Sequence, residues 1–264
     1  MKVATLQFGI QPGEGKQSAF HRVEEMLAAL PEKVDLVLLP ELWNVGFFAF
    51  DSYKSAAEPL HGETLELLSA AARRLDAHIF TGSFVEKRDE RYYNTCALLD
   101  RSGALLADYQ KIHLFGYGSK EREILSGGRR LAVADTEFGK VGLSICYDLR
   151  FPELYRKLAD MGAEVLINCA AWPYPRVENW VAMNQVRAME NQAYFLSCCC
   201  AGGGVGTQFI GRSMVVDPWG TPVAMCGERE SVMITEIHPE QVARIREDFT
   251  PLKDRVFPVA GLPD

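Results

Sequence analysis

The chain has 264 residues, of which 48% are hydrophobic and 24% charged, and its formal net charge is −7. This composition is typical of a soluble globular protein with a large hydrophobic core. No run of Lys and Arg is present, which argues against nucleic-acid binding. The first apolar run is broken by Gln7 and Pro12, and no later run approaches a membrane span, so we expect neither a signal peptide nor a membrane segment.

The seven cysteines are odd in number, and most lie in apolar runs. Without an export signal, this pattern predicts reduced thiols in a cytoplasmic protein. No C-x-x-C pair and no H-x-x-x-H pair occurs, so we expect no metal site.

Short β-type runs alternate with amphipathic helical runs along the whole chain. The predicted strands are Val3–Ile10, Leu36–Leu39, Ile79–Val85, Tyr93–Asp100, Ala104–Tyr109, Arg130–Asp135, Val141–Cys146, Val165–Cys169, Ala193–Cys199, Gly211–Val216, Pro222–Met225 and Ser231–Glu236. The predicted helices are marked by apolar residues spaced three and four apart between Phe20 and Leu30, Leu65 and Leu75, Leu154 and Met161, Val177 and Met189, and Val242 and Ile245.

Interleaved strands and helices predict a layered α/β protein with a mixed sheet, folded as one domain over residues 1–264. The run Leu36–Leu39 is apolar on both faces, as expected when both faces of a sheet are covered. A turn at residues 101–103 predicts a hairpin. The tail from about Phe249 has no periodic pattern, and we expect it to cross the surface or to pack on an oligomer partner.

Three reactive side chains lie where predicted strands stop. Glu41 follows Leu36–Pro40, Lys111 follows Leu106–Gln110, and Cys146 ends the run that starts at Val141. Strand ends in α/β sheets converge on a crevice, so we expect these three residues on adjoining strands. A thiol needs a base or a nearby cation to become a useful nucleophile, and Glu41 and Lys111 supply both.

Sequence blocks around these residues carry a resemblance to a known family. PELW (Pro40–Trp43), YQKIHLFG (Tyr109–Gly116) and SICYDLRFPELYR (Ser144–Arg156) resemble the three signature blocks of the nitrilase, or carbon–nitrogen hydrolase, superfamily. MENQAYFL (Met189–Leu196) and GRSMVVDPWG (Gly211–Gly220) also resemble that family. The resemblance covers nearly the whole chain.

The resemblance implies a four-layer α-β-β-α sandwich with a Glu41, Lys111 and Cys146 triad. It also implies a second glutamate after the lysine, for which Glu121 fits better than Glu123. Members of the family use no metal or organic cofactor and form dimers or larger assemblies. Cysteine attack on the carbonyl of a small amide, with Glu41 as base, would then give a thioester that water hydrolyses.

Candidate substrate-binding residues follow from position alone. Tyr147 comes directly after the nucleophile, and its N–H is expected to hold the oxyanion. Trp172 follows the predicted strand Val165–Cys169 near the Cys146 strand, Tyr117 follows the lysine block, and Arg150 is a candidate anchor for a substrate carboxylate. For His113 we favour a structural hydrogen bond over a catalytic role. An Asp148–Arg150 pair that shapes the turn is favoured over a catalytic acid.

RFPEL with DPWG resembles the branch that holds ω-amidases, which act on monoamides of 2-oxo dicarboxylic acids. The runner-up is a nitrilase or an N-carbamoyl amidohydrolase with the same catalytic residues. Two further hypotheses are a non-catalytic binding protein and a Cys–His enzyme that uses His113. Cys198, Cys199 and Cys200 are interpreted as inert strand residues, and Gly202–Gly204 as a flexible loop.

Overall fold

The computed structural model describes residues 1–31, 33–204 and 206–258. The strands are β1 Lys2–Gln7, β2 Gly9–Ile10, β3 Leu36–Leu38, β4 His78–Arg88, β5 Arg91–Leu99, β6 Leu105–Gln110, β7 Val133–Thr136, β8 Gly139–Ile145, β9 Val165–Ala170, β10 Tyr194–Cys199, β11 Ala201–Gly204, β12 Thr207–Gln208, β13 Met214–Val216, β14 Pro222–Met225 and β15 Ser231–Glu236. The α-helices are α1 Lys16–Ala28, α2 Tyr53–Ala56, α3 Glu63–Leu75, α4 Glu121–Ile124, α5 Pro152–Asp160, α6 Val177–Asn191 and α7 Gln241–Asp248.

Two six-stranded sheets form the centre of the fold. The first has the order β15-β1-β3-β4-β5-β6 and the second the order β14-β13-β10-β9-β8-β7. In each sheet three strands are parallel and the flanking strands are antiparallel. The mixed α/β class expected from the sequence is confirmed.

The sheets pack face to face, and helices cover their outer faces. Leu36 and Leu38 point between the sheets, whereas Val37 and Leu39 pack under helices α1 and α3. Helices α5 and α6 cover the second sheet with Leu158 and other buried apolar residues. The layers therefore follow the order α-β-β-α, and both faces of β3 are apolar because both are buried.

The hairpin predicted at residues 101–103 is confirmed, since β5 pairs antiparallel with β6. The Asp100 carboxylate accepts hydrogen bonds from the N–H groups of Ser102 and Ala104. Gly103 lies in the left-handed region, which glycine tolerates.

Two expectations are wrong. The Gly202–Gly204 segment is part of strand β11, which pairs with β2 and β12, because backbone hydrogen bonds need no side chains. The reactive residues do not lie on adjoining strands: β3 and β6 are separated by β4 and β5, and β8 belongs to the other sheet. Their strand ends meet because the two sheets face each other.

Among the described residues, no helix is long and apolar enough to cross a membrane. The predicted tail begins at Phe249, and its residues 259–264 lie outside the described residues. Phe257, within the described part, is highly exposed in the single chain. Packing of the tail on a partner stays a prediction.

Candidate active site

Glu41 lies in a turn after β3, and its side chain is fully buried. One carboxylate oxygen accepts a hydrogen bond from the Ala171 N–H at 2.8 Å. Leu42, the next residue, has φ of +47°, a conformation that costs a side-chain-bearing residue energy. The turn lies against β4 at Gly82, where a Cβ would lie 2.1 Å from the Pro40 oxygen, so only glycine fits there.

Lys111 follows the last residue of β6 and is also fully buried. Its ammonium lies 2.8 Å from Glu41 Oε1 and 2.9 Å from Glu121 Oε1. Burial alone would lower the pKa of Lys111, but the Glu121 and Glu41 carboxylates raise it well above its ordinary value. Lys111 is therefore a fixed cation at neutral pH.

Glu121 begins the short helix α4 and is buried, whereas Glu123 is exposed. Glu121 Oε2 accepts a hydrogen bond from the Phe115 N–H at 2.6 Å. Burial raises the pKa of the Glu121 carboxyl, with Lys111 opposing the shift and Glu41 adding to it. Of the two candidate glutamates, Glu121 is the one that the fold brings to Lys111.

Asn94 joins this cluster, although sequence reasoning missed it. Its amide nitrogen donates to Glu41 Oε1 at 2.8 Å and to Glu121 Oε1 at 3.0 Å. Its main-chain oxygen accepts the Lys111 N–H at 2.9 Å. Strand β5 thus fills the gap between the ends of β3 and β6. An isolated asparagine in a strand gives no sequence signal for this role.

Cys146 follows β8 and begins a 3₁₀ turn, Cys146–Arg150. Its φ is +47° and its exposure is 6%, so the residue is strained and nearly buried. Burial raises the pKa of the thiol well above its usual range, and the negative charge of the neighbouring Glu41 carboxylate adds to that shift. The resting group is a thiol with a carboxylate beside it.

Asp148 fixes the turn that begins at Cys146. Its carboxylate accepts hydrogen bonds from the Ile145 N–H at 2.9 Å and the Tyr109 hydroxyl at 2.8 Å. His113 contacts the same carboxylate through Nδ1 at 2.8 Å, and its ring stacks on Phe151 at 3.7 Å. The expected partner of Asp148 was Arg150, but Tyr109 and His113 hold it because the end of β6 packs against this turn.

A narrow cavity opens above Cys146. Its lining residues are Phe47, Phe115, Cys146, Tyr147, Arg150, Ala171, Trp172, Pro173 and Arg176. Three of the predicted substrate-binding residues, Tyr147, Trp172 and Arg150, are therefore brought to Cys146. Tyr117 is not, because its side chain is 80% exposed on the loop after β6. A larger open groove of about 740 Å³ lies beyond Phe47 and does not contain the thiol.

Two arginines give this cavity a positive charge. The Arg150 guanidinium lies 5.0 Å from the centre of the Trp172 ring, and the Arg176 guanidinium lies 5.8 Å from that of Phe115. Neither guanidinium has a carboxylate within ion-pair distance among the described residues. Arg176 gives no sequence signal for this position, because an isolated arginine just before helix α6 is equally typical of an exposed loop.

Taken together, these contacts place a thiol that lines a cavity close to a buried carboxylate and a fixed cation. Such a set can carry out nucleophilic attack on a carbonyl and can stabilise the negative oxygen that forms. Residues 2–247 match the family model described as carbon-nitrogen hydrolase. The chain belongs to the carbon–nitrogen hydrolase family.

Relatives agree with this assignment over nearly the full chain. The chain is 32% identical to a 2-oxoglutaramate amidase of Bacillus subtilis, with 96% of both proteins covered. It is 32% identical to a 2-oxoglutaramate amidase of Paenarthrobacter nicotinovorans, covering 97% of this chain and 89% of the relative. The crystal structure of Saccharomyces cerevisiae Nit3, a member of branch 10 of the nitrilase superfamily, superimposes with a TM-score of 0.84 at 31% identity, covering 97% of each chain.

Proposed function

We propose that this protein is an amidase that hydrolyses the C–N bond of a small amide through a thioester on Cys146. The observation that carries the proposal is the buried bridge from Glu41 through Lys111 to Glu121 beside the thiol, with N–O distances of 2.8 and 2.9 Å. Family membership and the names of the relatives support the same reaction.

Acylation begins when Cys146 Sγ attacks the amide carbon and the thiol proton moves to Glu41. The π electrons of the C=O bond move to the oxygen, and Lys111 and the Tyr147 N–H stabilise the resulting oxyanion. The Tyr147 N–H lies in the first turn of a 3₁₀ helix, where N–H groups lack intrahelical acceptors. Collapse of the intermediate breaks the C–N bond, and Glu41 gives its proton to the leaving nitrogen.

Deacylation uses the same base. A water gives its proton to Glu41 and attacks the thioester carbon, and collapse expels the Cys146 sulfur, which recovers the proton. The products are a carboxylate and ammonia. Glu121 holds Lys111 in place throughout by accepting its hydrogen bond. Asn94 holds Glu41 by donating to its carboxylate, and it also donates to Glu121.

The substrate that fits the cavity has an anionic end. Arg150 and Arg176 lie in the cavity that contains Cys146 and lack acidic partners among the described residues. Arginine favours carboxylates because its planar guanidinium donates two parallel hydrogen bonds. A monoamide of a 2-oxo dicarboxylic acid, the substrate class of ω-amidases, has such a carboxylate. The names of both bacterial relatives support this class.

A substrate panel tests the reaction. We expect ammonia release from 2-oxoglutaramate and similar monoamides, and little from nitriles or N-carbamoyl amino acids. Turnover of nitriles alone would make the protein a nitrilase, and turnover of N-carbamoyl amino acids alone would make it an amidohydrolase of that class.

Mass spectrometry tests the nucleophile. A substrate amide should leave an acyl group on Cys146, and Cys146→Ala should lose both the adduct and the activity. Cys169→Ala is the matched control, because Cys169 is another buried thiol, at the position paired with Ile145. An adduct on a different cysteine would refute the mechanism, and no adduct or turnover at all would favour a non-catalytic binding protein.

We also propose that the protein forms a homodimer or larger homo-oligomer in the cytoplasm. Trp219 and Phe249 stack on the surface with a centroid distance of 5.9 Å, and each is more than half exposed. Burying this apolar pair against a second copy would remove it from water. All seven cysteines are unpaired, which supports a reducing compartment. Light scattering of the wild type and of Trp219→Ser would test the assembly, and a monomeric wild type would refute it.

A further inference from the structure

The run Cys198-Cys199-Cys200 places three thiols at and just after the end of β10. Side chains alternate along a strand, so Cys198 and Cys200 face the first sheet and Cys199 faces the other way. The contacts agree with this alternation: Cys198 Sγ lies 3.2 Å from the Leu6 oxygen, and Cys200 Sγ lies 3.3 Å from the Glu41 oxygen.

We infer that Cys200 is a positioning residue for the base Glu41, because its thiol donates a hydrogen bond to the Glu41 main-chain carbonyl and holds the turn that carries the carboxylate. Among the described residues, Cys200 is the one donor to that oxygen. The inference rests on the role proposed above for Glu41.

The position of this bond explains why it matters. The Glu41 carbonyl belongs to the peptide that precedes Leu42, whose φ of +47° is unfavourable. A strained turn persists only when its surroundings hold it, and the thiol supplies one such contact. Burial raises the pKa of Cys200 well above its usual value, so the sulfur keeps its hydrogen at neutral pH.

A second contact joins the same two residues through the main chain. The Cys200 N–H donates to the Ala170 oxygen at 2.8 Å, and the N–H of that same peptide unit, on Ala171, donates to Glu41 Oε2 at 2.8 Å. Cys200 is therefore linked to the Glu41 carbonyl directly and to its carboxylate through one peptide unit. A substitution of the Cys200 side chain removes the thiol contact and leaves the main-chain link in place, so it tests the thiol contact alone.

The experiment compares Cys200→Ala, Cys200→Ser and Cys198→Ala. Cys198 is the matched control because it is equally buried, faces the same sheet and donates to main-chain oxygens outside the site. The readouts are kcat and KM for the amide, and the rate at which methyl methanethiosulfonate modifies Cys146, followed by mass spectrometry of the Cys146 peptide. The second rate depends on transfer of the thiol proton to Glu41 and not on amide turnover.

We expect Cys200→Ala to lower kcat and the modification rate about fivefold, the change that corresponds to one hydrogen bond of about 1 kcal/mol, with KM unchanged. Cys200→Ser should recover most of both rates because its hydroxyl still donates. Cys198→Ala should keep wild-type rates even where its melting temperature falls as far as that of Cys200→Ala.

Equal rates in Cys200→Ala and the wild type would overturn the inference, as would a serine variant as slow as the alanine variant. Glu41→Gln distinguishes this failure from failure of the proposed function. If Glu41→Gln slows modification of Cys146 and Cys200→Ala does not, only the inference about Cys200 falls. If Glu41→Gln does not slow modification of Cys146, the base itself is misassigned and both proposals fall.

Discussion

Two clusters of the first sheet, one around Glu86 and one around Glu41, each contain a buried glutamate, but only the Glu41 cluster lies at the candidate active site. Glu86 on β4 accepts hydrogen bonds from Arg88, Thr95 and Gln110 at 2.7 to 3.0 Å. Glu41 is as well supplied with donors and as deeply buried. A buried, satisfied glutamate therefore does not by itself indicate a catalytic site.

What distinguishes Glu41 is its surroundings. It lies in a turn with a strained neighbour, beside a second carboxylate that shares Lys111, and next to a thiol that lines a cavity. Glu86 lies within regular β-structure, where its partners come from its own strand and from β5 and β6. Strain and access to a cavity, and not burial alone, mark the reactive cluster.

The largest expected effect tests directly whether Glu41 and Glu86 differ in function. Glu41→Gln should lower kcat by about 10³-fold, the scale of losing a general acid–base, because the amide cannot take the thiol proton. Glu86→Gln is the matched control and should cost about 1–3 kcal/mol of unfolding free energy while keeping kcat. Steady-state kinetics and urea unfolding of both variants check the prediction, and a catalytic loss of similar size in Glu86→Gln would contradict it.

Arg176→Gln tests the charge of the cavity. We expect KM for an anionic monoamide to rise about 10- to 100-fold, the scale of losing a charge-assisted hydrogen bond of about 1.5–3 kcal/mol, because the substrate carboxylate loses a guanidinium. Hydrolysis of a neutral amide should change little. Arg150→Gln should act in the same direction, and Arg122→Gln, on the exposed face of α4, should not. An equal rise in KM for neutral and anionic amides would point to a packing defect instead.

Glu121→Gln tests the raised pKa of that carboxyl. A group whose folded pKa is raised stabilises the fold below its unfolded pKa, and this contribution is lost as pH rises through the folded pKa. The stability of the wild type relative to Glu121→Gln should therefore fall as the pH rises from below the ordinary glutamate pKa of 4.5 towards neutrality. Urea unfolding of the two proteins over that range checks the prediction. A difference that grows with pH would reverse the sign and refute the prediction.

The smallest effect is expected at His113. Its side chain contacts Asp148 and not the cluster of Glu41, Lys111 and Cys146. His113→Asn should keep kcat within about threefold while losing about 1 kcal/mol of stability with one hydrogen bond. Loss of activity comparable to that of Glu41→Gln would revive a Cys–His mechanism. The pH–rate profile of the variant supplies the second readout.

Elements with an apolar pattern are predictable because that pattern is local. Strands β14 and β15 match their predicted bounds, and the five longer helices lie where apolar spacing placed them. Elements without such a pattern are not predictable in this way: β11 and β12 lack apolar alternation, and α4 is a single turn. For the site, local patterns indicated Glu41, Lys111 and Cys146 as reactive, but not the way in which they meet.

By itself, the sequence determined the reactive residue types, the strand ends that carry them and the family, since each of these is written in contiguous blocks. Tertiary structure decided the rest. Asn94, Arg176 and Cys200 act through contacts with residues that are remote in the chain, and such contacts exist only once two sheets face each other. Packing of one sheet on another leaves no local signature, because it depends on which faces are buried together and not on neighbouring residues.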